Sequence, residues 1–248
     1  MLPGGRQPRL VASGAHVKIA RMKQDDPPHA LSAAQVGWQA SPSQKKFEYL
    51  RRYATGRTAL DIGCGRGWYA SALADAGFRV SAIDQYNQVA DPRITCHEQA
   101  ISAPLPFADR AFDTVLMFDI LEHLDDEAGI MTEVARVCAR RLILSVPHAD
   151  AGPLPRYGLT YLHYIDETHV REYTIERLRD VMQANGFTTL HIGLEGQPTI
   201  PLAFSEFVRG GEGVRQAMRY LITGLYKIGL VHNPAVAGDI FFVGERKG

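Results

Sequence analysis

Long apolar runs are missing from this 248-residue sequence, and none approaches the roughly 20 residues that span a bilayer. The opening stretch, MLPGGRQPRLVASGAHVKIARMKQDDPPH, has no apolar core of the signal-peptide kind, so the cytoplasm is the expected location. Cysteines are few. Cys64, Cys96 and Cys138 are widely spaced and odd in number, which argues against a disulfide framework and suits a reducing compartment. No Cys-x-x-Cys pair offers a zinc site. An excess of either charge is also lacking, because 27 Lys and Arg balance 27 Asp and Glu. No global field gathers nucleic acid or anionic membrane, so a nucleic-acid partner is not expected. No repeat or low-complexity tract is visible. What remains is an ordinary globular composition, 46% hydrophobic and 22% charged.

Residues 1–40 are rich in Gly, Pro and charge and read as a flexible arm before a domain over 41–248. The first helix signal is Ser41-Pro42-Ser43-Gln44, with Ser41 as cap and Pro42 at the first helical position. Phe47, Leu50 and Tyr53 follow at helical spacing. Lys45, Lys46, Arg51 and Arg52 read as a solvated basic face. Strands are expected at 58–62, 79–83, 94–97, 112–118, 141–146, 190–194 and 240–243. The run FDTVLMF at 112–118 has no polar alternation, as a strand buried on both faces requires. Helical patterns alternate with these strands. They occupy 68–76, the face Ile130, Met131, Val134, Val137 and Cys138, and the segment from Thr174 to the stop Asn185-Gly186. This alternation predicts an α/β fold, a doubly wound, mostly parallel seven-stranded sheet with helices on both faces. Two segments interrupt it. Residues 148–173 read as an aromatic lid carrying Tyr157, Tyr161, His163, Tyr164 and Asp166, with Arg156 and Arg171 available to an acidic substrate. Residues 196–238 read as a helical insertion before the last strand. Its stripe of Val214, Ala217, Met218, Leu221, Leu225 and Ile228 is expected to be core or a subunit contact, and a homodimer fits the latter.

Gly63-Cys64-Gly65-Arg66-Gly67 falls at the carboxyl end of the first strand, where doubly wound sheets bind ligands. Glycine admits positive φ and close approach of a ligand to the backbone. Asp84 ends the second strand, placed to accept hydrogen bonds from ribose hydroxyls. A dinucleotide fingerprint would need its third glycine at position 68, which is Trp68. Asp61, just ahead of the loop, is a poor neighbour for a pyrophosphate and a good one for an ammonium. An adenosine ligand with an ammonium and no phosphate is S-adenosylmethionine.

Three runs then resemble the class I S-adenosylmethionine-dependent methyltransferases: ALDIGCGRGWYASALADAGFRVSAID at 59–84, PLPFADRAFDTVLMFDILEHL at 104–124 and THVREYTIERLRDVMQANGF at 168–187. The resemblance implies the Rossmann-like fold of that family and S-adenosylmethionine as cofactor. By it, Gly63 and Gly65 line the methionine part, Asp61 shapes the amino-group site, Asp84 holds the ribose, and the Phe118 carbonyl faces the methionine end. Many relatives carry an acid before LPF for the adenine. Here none is present, and backbone near Ala100 and Ile101 takes that part.

Methyl transfer to a hydroxyl needs a proton acceptor or a metal that acidifies the hydroxyl. Asp119-Ile120-Leu121-Glu122-His123 opens from the end of the fourth strand into the site. His123 is the candidate base, with Glu122 beside it; the alternative is a histidine packed under the loop. Asp119, Glu122, His123 and His169 resemble the metal-binding pattern of small-RNA 3′-end methyltransferases, and ubiquinone-pathway O-methyltransferases are similar in the first part. The resemblance implies a divalent ion such as Mg²⁺, Mn²⁺ or Zn²⁺. The expected function is O-methylation of a small-molecule, sugar or lipid-linked acceptor. The alternatives are metal-assisted RNA 3′-end methylation and a cofactor-binding module without catalysis.

Overall fold

Alternating strand and helix segments pair into a sheet whose carboxyl edge carries the glycine loop. The computed structural model describes residues 42–149, 168–195, 211–228 and 238–247. Strands β1 (Thr58–Ile62), β2 (Arg79–Asp84), β3 (Thr95–Glu98), β4 (Phe112–Phe118), β5 (Cys138–Pro147), β6 (Phe187–Glu195) and β7 (Asp239–Arg246) form one sheet in the order β3-β2-β1-β4-β5-β7-β6. The first five are parallel. β7 runs antiparallel between β5 and β6. The chain moves outward from β1 to β3 and returns to β4 on the other side of β1. That reversal opens a crevice above the β1 and β4 carboxyl ends.

Helices α1 (Gln44–Tyr53) and α2 (Trp68–Asp75) pack Tyr49, Leu50, Ala70 and Leu73 with Leu116, Phe118 and Phe241 in one core cluster. Helices α3 (Glu127–Val137) and α4 (Ile175–Ala184) pack Ile130, Met131, Val134, Leu178 and Met182 with Val115, Met117 and Phe242 in the other. Successive residues of β4 thus serve opposite clusters, which explains the unbroken apolar run. Asp126 caps α3 by accepting from Gly129 N, and Thr174 caps α4 by accepting from Arg177 N.

Several boundaries differ from the expectation. α1 opens at Gln44 with Ser43 as N-cap, and the Ser43 side chain makes no capping bond; its amide donates instead to the Tyr69 hydroxyl at 2.9 Å. α3 stops at Val137, and Cys138 begins β5 with no intervening loop. Cys138 is buried in either state, so the helical period ran on through it. β6 starts at Phe187, directly after Gly186, and β7 extends beyond 240–243 at both ends. Helix α5 (Glu212–Lys227) lies inside the expected insertion. Its stripe is not core among the described residues, since Val214, Leu221 and Ile228 are all exposed. The expected arm over 1–40, the expected cap Ser41, residues 150–167 of the expected lid with Arg156, Tyr157, Tyr161, His163, Tyr164 and Asp166, and residues 196–210 and 229–237 of the insertion lie outside the described residues. The two described ends of the 148–173 segment meet: His148 bridges to Tyr173, and Ala149 N donates to Tyr173 O at 2.8 Å.

Candidate active site

The loop after β1 is built by glycines that no other residue replaces at equal cost. Gly63 has φ 74°, and a Cβ there would lie 2.7 Å from Ile120. Its amide donates to Ile83 O at 2.9 Å, fixing the loop to β2. Gly65 has φ 50°, and a Cβ there would meet nothing within 4 Å, so this glycine faces open space. Its amide donates to Asp84 Oδ2 at 2.8 Å, while Tyr86 N donates to Oδ1 at 3.1 Å. Each carboxylate oxygen retains a lone pair for a ligand hydroxyl. Gln99 N donates to Asp84 O at 2.9 Å, which brings the backbone of Ala100 and half-buried Ile101 alongside.

Asp61 is 2% exposed, and its Oδ2 has no hydrogen-bond partner. Burial pushes its pKa up to about 7, and the nearby Asp84 charge adds to the shift, against the Ala70 amide and Lys46. A buried carboxylate with an orphaned oxygen calls for a cation. The ammonium of S-adenosylmethionine fits that demand, as Asp84 fits a ribose and Gly65 a close approach.

β4 ends at Phe118, whose ring stands edge-on to Tyr69 with centroids 5.1 Å apart. Asp119 follows in the left-handed region at φ 52°. Ser145 holds it twice, by a 2.9 Å bond from Asp119 N to Ser145 O and a 2.6 Å bond from Ser145 Oγ to Asp119 Oδ1. Its Oδ2 accepts from the Lys46 ammonium. Lys46 is therefore buried at the site and not on the solvated face expected of it. It sits three and four residues before Tyr49 and Leu50, hence on the inward side of α1. That spacing was the available signal. Burial alone would lower its pKa, but the Asp119 charge and bond, with Tyr69 and Asp239, raise it on balance. Asp239, at the start of β7, was also missed. Burial, then the Asp119 charge, lifts it to about 7.

Glu122 and His123 lie on a 3₁₀ turn over Leu121–His123. Glu122 is 1% exposed, and neither carboxylate oxygen has a partner. Burial, then the Asp119 charge, raises its pKa well above the usual carboxylate range. His123 Nδ1 is 3.3 Å from Thr168 O and 2.9 Å from Thr168 Oγ1. Its Nε2 is 4.0 Å from Glu122 Oε1. The His123 and His169 rings meet edge to face at 4.5 Å between centroids. Glu122, His123 and His169 each offer a ligand atom within 4.8 Å of the others. Asp119, the fourth member of the expected set, is held by Lys46 and Ser145 and stands outside this group. Arg171 turns to protein: it donates to Leu124 O and, at 2.8 Å, to Asp125 O, bracing the turn that carries His123.

A model of the methyltransferase domain matches residues 38–192, more than half of the 248-residue chain. A Mycobacterium tuberculosis protein named as a probable S-adenosylmethionine-dependent methyltransferase is 34% identical over 153 residues, covering 58% of this chain and 53% of that one. The chain thus spans about half the length of such mycobacterial relatives. A ubiquinone biosynthesis O-methyltransferase of Paracidovorax citrulli is 26% identical over 189 residues, 64% of this chain and 75% of that one. Among solved structures, an S-adenosylmethionine-dependent methyltransferase from Archaeoglobus fulgidus superposes with TM-score 0.56 at 18% identity, over 82% of this chain and 91% of that one. A Haemonchus contortus phosphoethanolamine N-methyltransferase in complex with S-adenosyl-L-methionine gives TM-score 0.53 at 17% identity, over 82% and 52% of the chains. At these identities the structural likeness is one of fold.

Proposed function

The chain belongs to the methyltransferase-domain family, of the S-adenosylmethionine-dependent class, and from that premise we propose that it methylates a hydroxyl of a small-molecule, sugar or lipid-linked acceptor with His123 as general base. The observation that carries the reading is the placing of His123 on the turn after β4, with Nδ1 against Thr168 (2.9 Å to Oγ1, 3.3 Å to O) and Nε2 on the side of Glu122. With Nδ1 donating to the Thr168 carbonyl, Nε2 is left with the lone pair that a base needs. Nε2 stands 4.0 Å from Oε1 of the buried Glu122, a carboxyl that would stabilise an imidazolium once ionised. Likeness to a ubiquinone-pathway O-methyltransferase supports the choice of oxygen over nitrogen.

When bound, S-adenosylmethionine supplies a methyl group activated by its sulfonium sulfur. Asp61 and the glycine loop would hold its amino-acid end, and Asp84 its ribose. His123 Nε2 would accept the proton of an acceptor hydroxyl, freeing its oxygen to receive the methyl group. Preorganisation of these groups reduces the barrier, since in-line approach leaves little tolerance for misplacement.

A second reading has one favouring observation, the convergence of Glu122, His123 and His169. One carboxylate and two imidazoles suit Zn²⁺ or Mn²⁺ better than Mg²⁺, and the two orphaned Glu122 oxygens fit a ligand role. An ion bound there would acidify a coordinated hydroxyl. Nε2 of His123 cannot serve as base and ligand at once, so the two readings exclude each other. The test is release of S-adenosylhomocysteine from S-adenosylmethionine with catechols, sugars and short RNAs, in chelator and with each ion added. Turnover of hydroxylated small molecules in chelator supports the base reading. Turnover only with metal supports the second, and cofactor binding without turnover on any acceptor points to a non-catalytic module.

A further inference from the structure

One charged residue at this site has no part in either reading. Lys46 brings an ammonium into the core from α1, with only 10% of its side chain exposed. Its Nζ lies 5.4 Å from the centre of the Phe118 ring and 5.9 Å from that of Tyr69, and it donates to Asp119 Oδ2. Burying a lysine is costly unless it is paired and its charge is felt by something. Here its field reaches Asp61, Glu122 and Asp239 as well as Asp119.

The position of the pair follows from the sheet order β2-β1-β4. A nucleoside held by Asp84 at the end of β2 extends across the β1 loop toward β4. There Ile120 fills the space against Gly63, and Asp119 is its neighbour in the chain. A ligand lying so would bring its charge-bearing end to the side of the loop where Asp119 and Lys46 stand. The methyl donor carries a sulfonium, and the spent donor is a neutral thioether. A fixed ammonium distinguishes the two, and a carboxylate distinguishes them in the opposite sense.

We propose that Lys46 is a positioning residue of the methyl-donor site whose ammonium, held over Phe118 and Tyr69 by Asp119, opposes the charged donor and not the neutral product. The Lys46–Asp119 pair thereby sets the preference of the site between S-adenosylmethionine and S-adenosylhomocysteine. Lys46 balances Asp119 so that the site does not bind the donor so tightly that binding opposes its discharge. The inference rests on the methyltransferase reading of the glycine loop.

The experiment is calorimetric titration of the full chain with each of the two ligands, and it needs no acceptor. In Lys46→Met, the affinity for S-adenosylmethionine relative to S-adenosylhomocysteine rises on the order of tenfold, because Asp119 is left unbalanced. In Asp119→Asn, a residue type that tolerates the left-handed backbone, the ratio falls by a similar factor. Lys46→Arg keeps the wild-type ratio, and the double variant Lys46→Met with Asp119→Asn returns toward it. Equal weakening of both ligands in each variant would reduce Lys46 to a packing role and overturn the proposal. If Lys46→Met does not fold, Asp119→Asn decides alone, since an unchanged or raised ratio there contradicts it. Failure of the wild type to bind either ligand would strike at the methyltransferase reading instead.

Discussion

The Gly65 amide donates to the Asp84 carboxylate at 2.8 Å, so the glycine loop and the end of β2 are one hydrogen-bonded unit. Asp84 shapes the loop, and in the proposed function it also holds the ribose. Asp84→Ala is expected to weaken S-adenosylhomocysteine binding by about tenfold or more, the range of a lost charged hydrogen bond. Titration calorimetry measures it, and unchanged affinity would remove Asp84 from the cofactor site.

Asp61 gives the affinity a pH dependence with a definite sign. Its pKa in the folded protein is about 7, raised from the ordinary carboxylate range by burial. A ligand ammonium favours the ionised form, so binding releases a proton below pH about 7. Affinity for S-adenosylhomocysteine should therefore climb from pH about 5.5 to about 7 and then level off. The free protein shows the reverse trend in stability. The folded state binds the Asp61 proton more tightly than the unfolded state, so the Asp61 contribution declines as pH rises from about 4 to about 7. Asp61→Asn, compared with wild type in buffers of different ionisation enthalpy, isolates the effect from Asp239 and Glu122.

Gly63 and Gly65 should respond differently to the same substitution. Both have positive φ, which costs an alanine about 1 kcal/mol. Gly63→Ala also drives a Cβ to 2.7 Å from Ile120, so it should lower the melting temperature by several degrees, about 2–4 °C per kcal/mol. Gly65→Ala meets no protein atom within 4 Å, so it should melt only about 2–4 °C below wild type, the cost of its positive φ, and yet bind cofactor poorly. Thermal melts with and without S-adenosylhomocysteine separate the two. For wild type, ligand at 100 times its dissociation constant adds about 2.7 kcal/mol, and Gly65→Ala should lose most of that gain.

His123→Ala should reduce turnover by about 10²–10⁴-fold, with cofactor affinity unchanged within about twofold. His169→Ala should leave most of the turnover intact if His123 acts as base. Loss of turnover in both variants, together with loss of bound metal, would favour the metal reading.

Much of this architecture could be read before any coordinates. FDTVLMF announced a strand covered on both faces, Thr174 announced a helix start, and Asp61, Gly63, Gly65 and Asp84 gather at one crevice because strand ends in a doubly wound sheet must. The misses share a cause. Lys46 was assigned by its charge to solvent, although its spacing to Tyr49 and Leu50 put it on the buried side. Asp239 carries no local pattern, because its neighbours in space come from β4 and α1. The helix α3 to β5 junction has no turn residue to mark it, since Arg136 and Val137 lead straight into Cys138. Pairwise electrostatics between distant segments leaves no periodic trace, and those were the features that only the fold disclosed.

The place of β7 bears on how the protein comes into being. This strand is made after β5 and β6 yet must slide between them, and it delivers Asp239 to the acidic group around Lys46. Until β7 is in place, the β5 and β6 edges that it pairs with are bare, and Asp239 is absent from the charges around Lys46. The step that seals the sheet therefore also completes the charges around Lys46, and it covers edges that would otherwise be open to pairing with another copy.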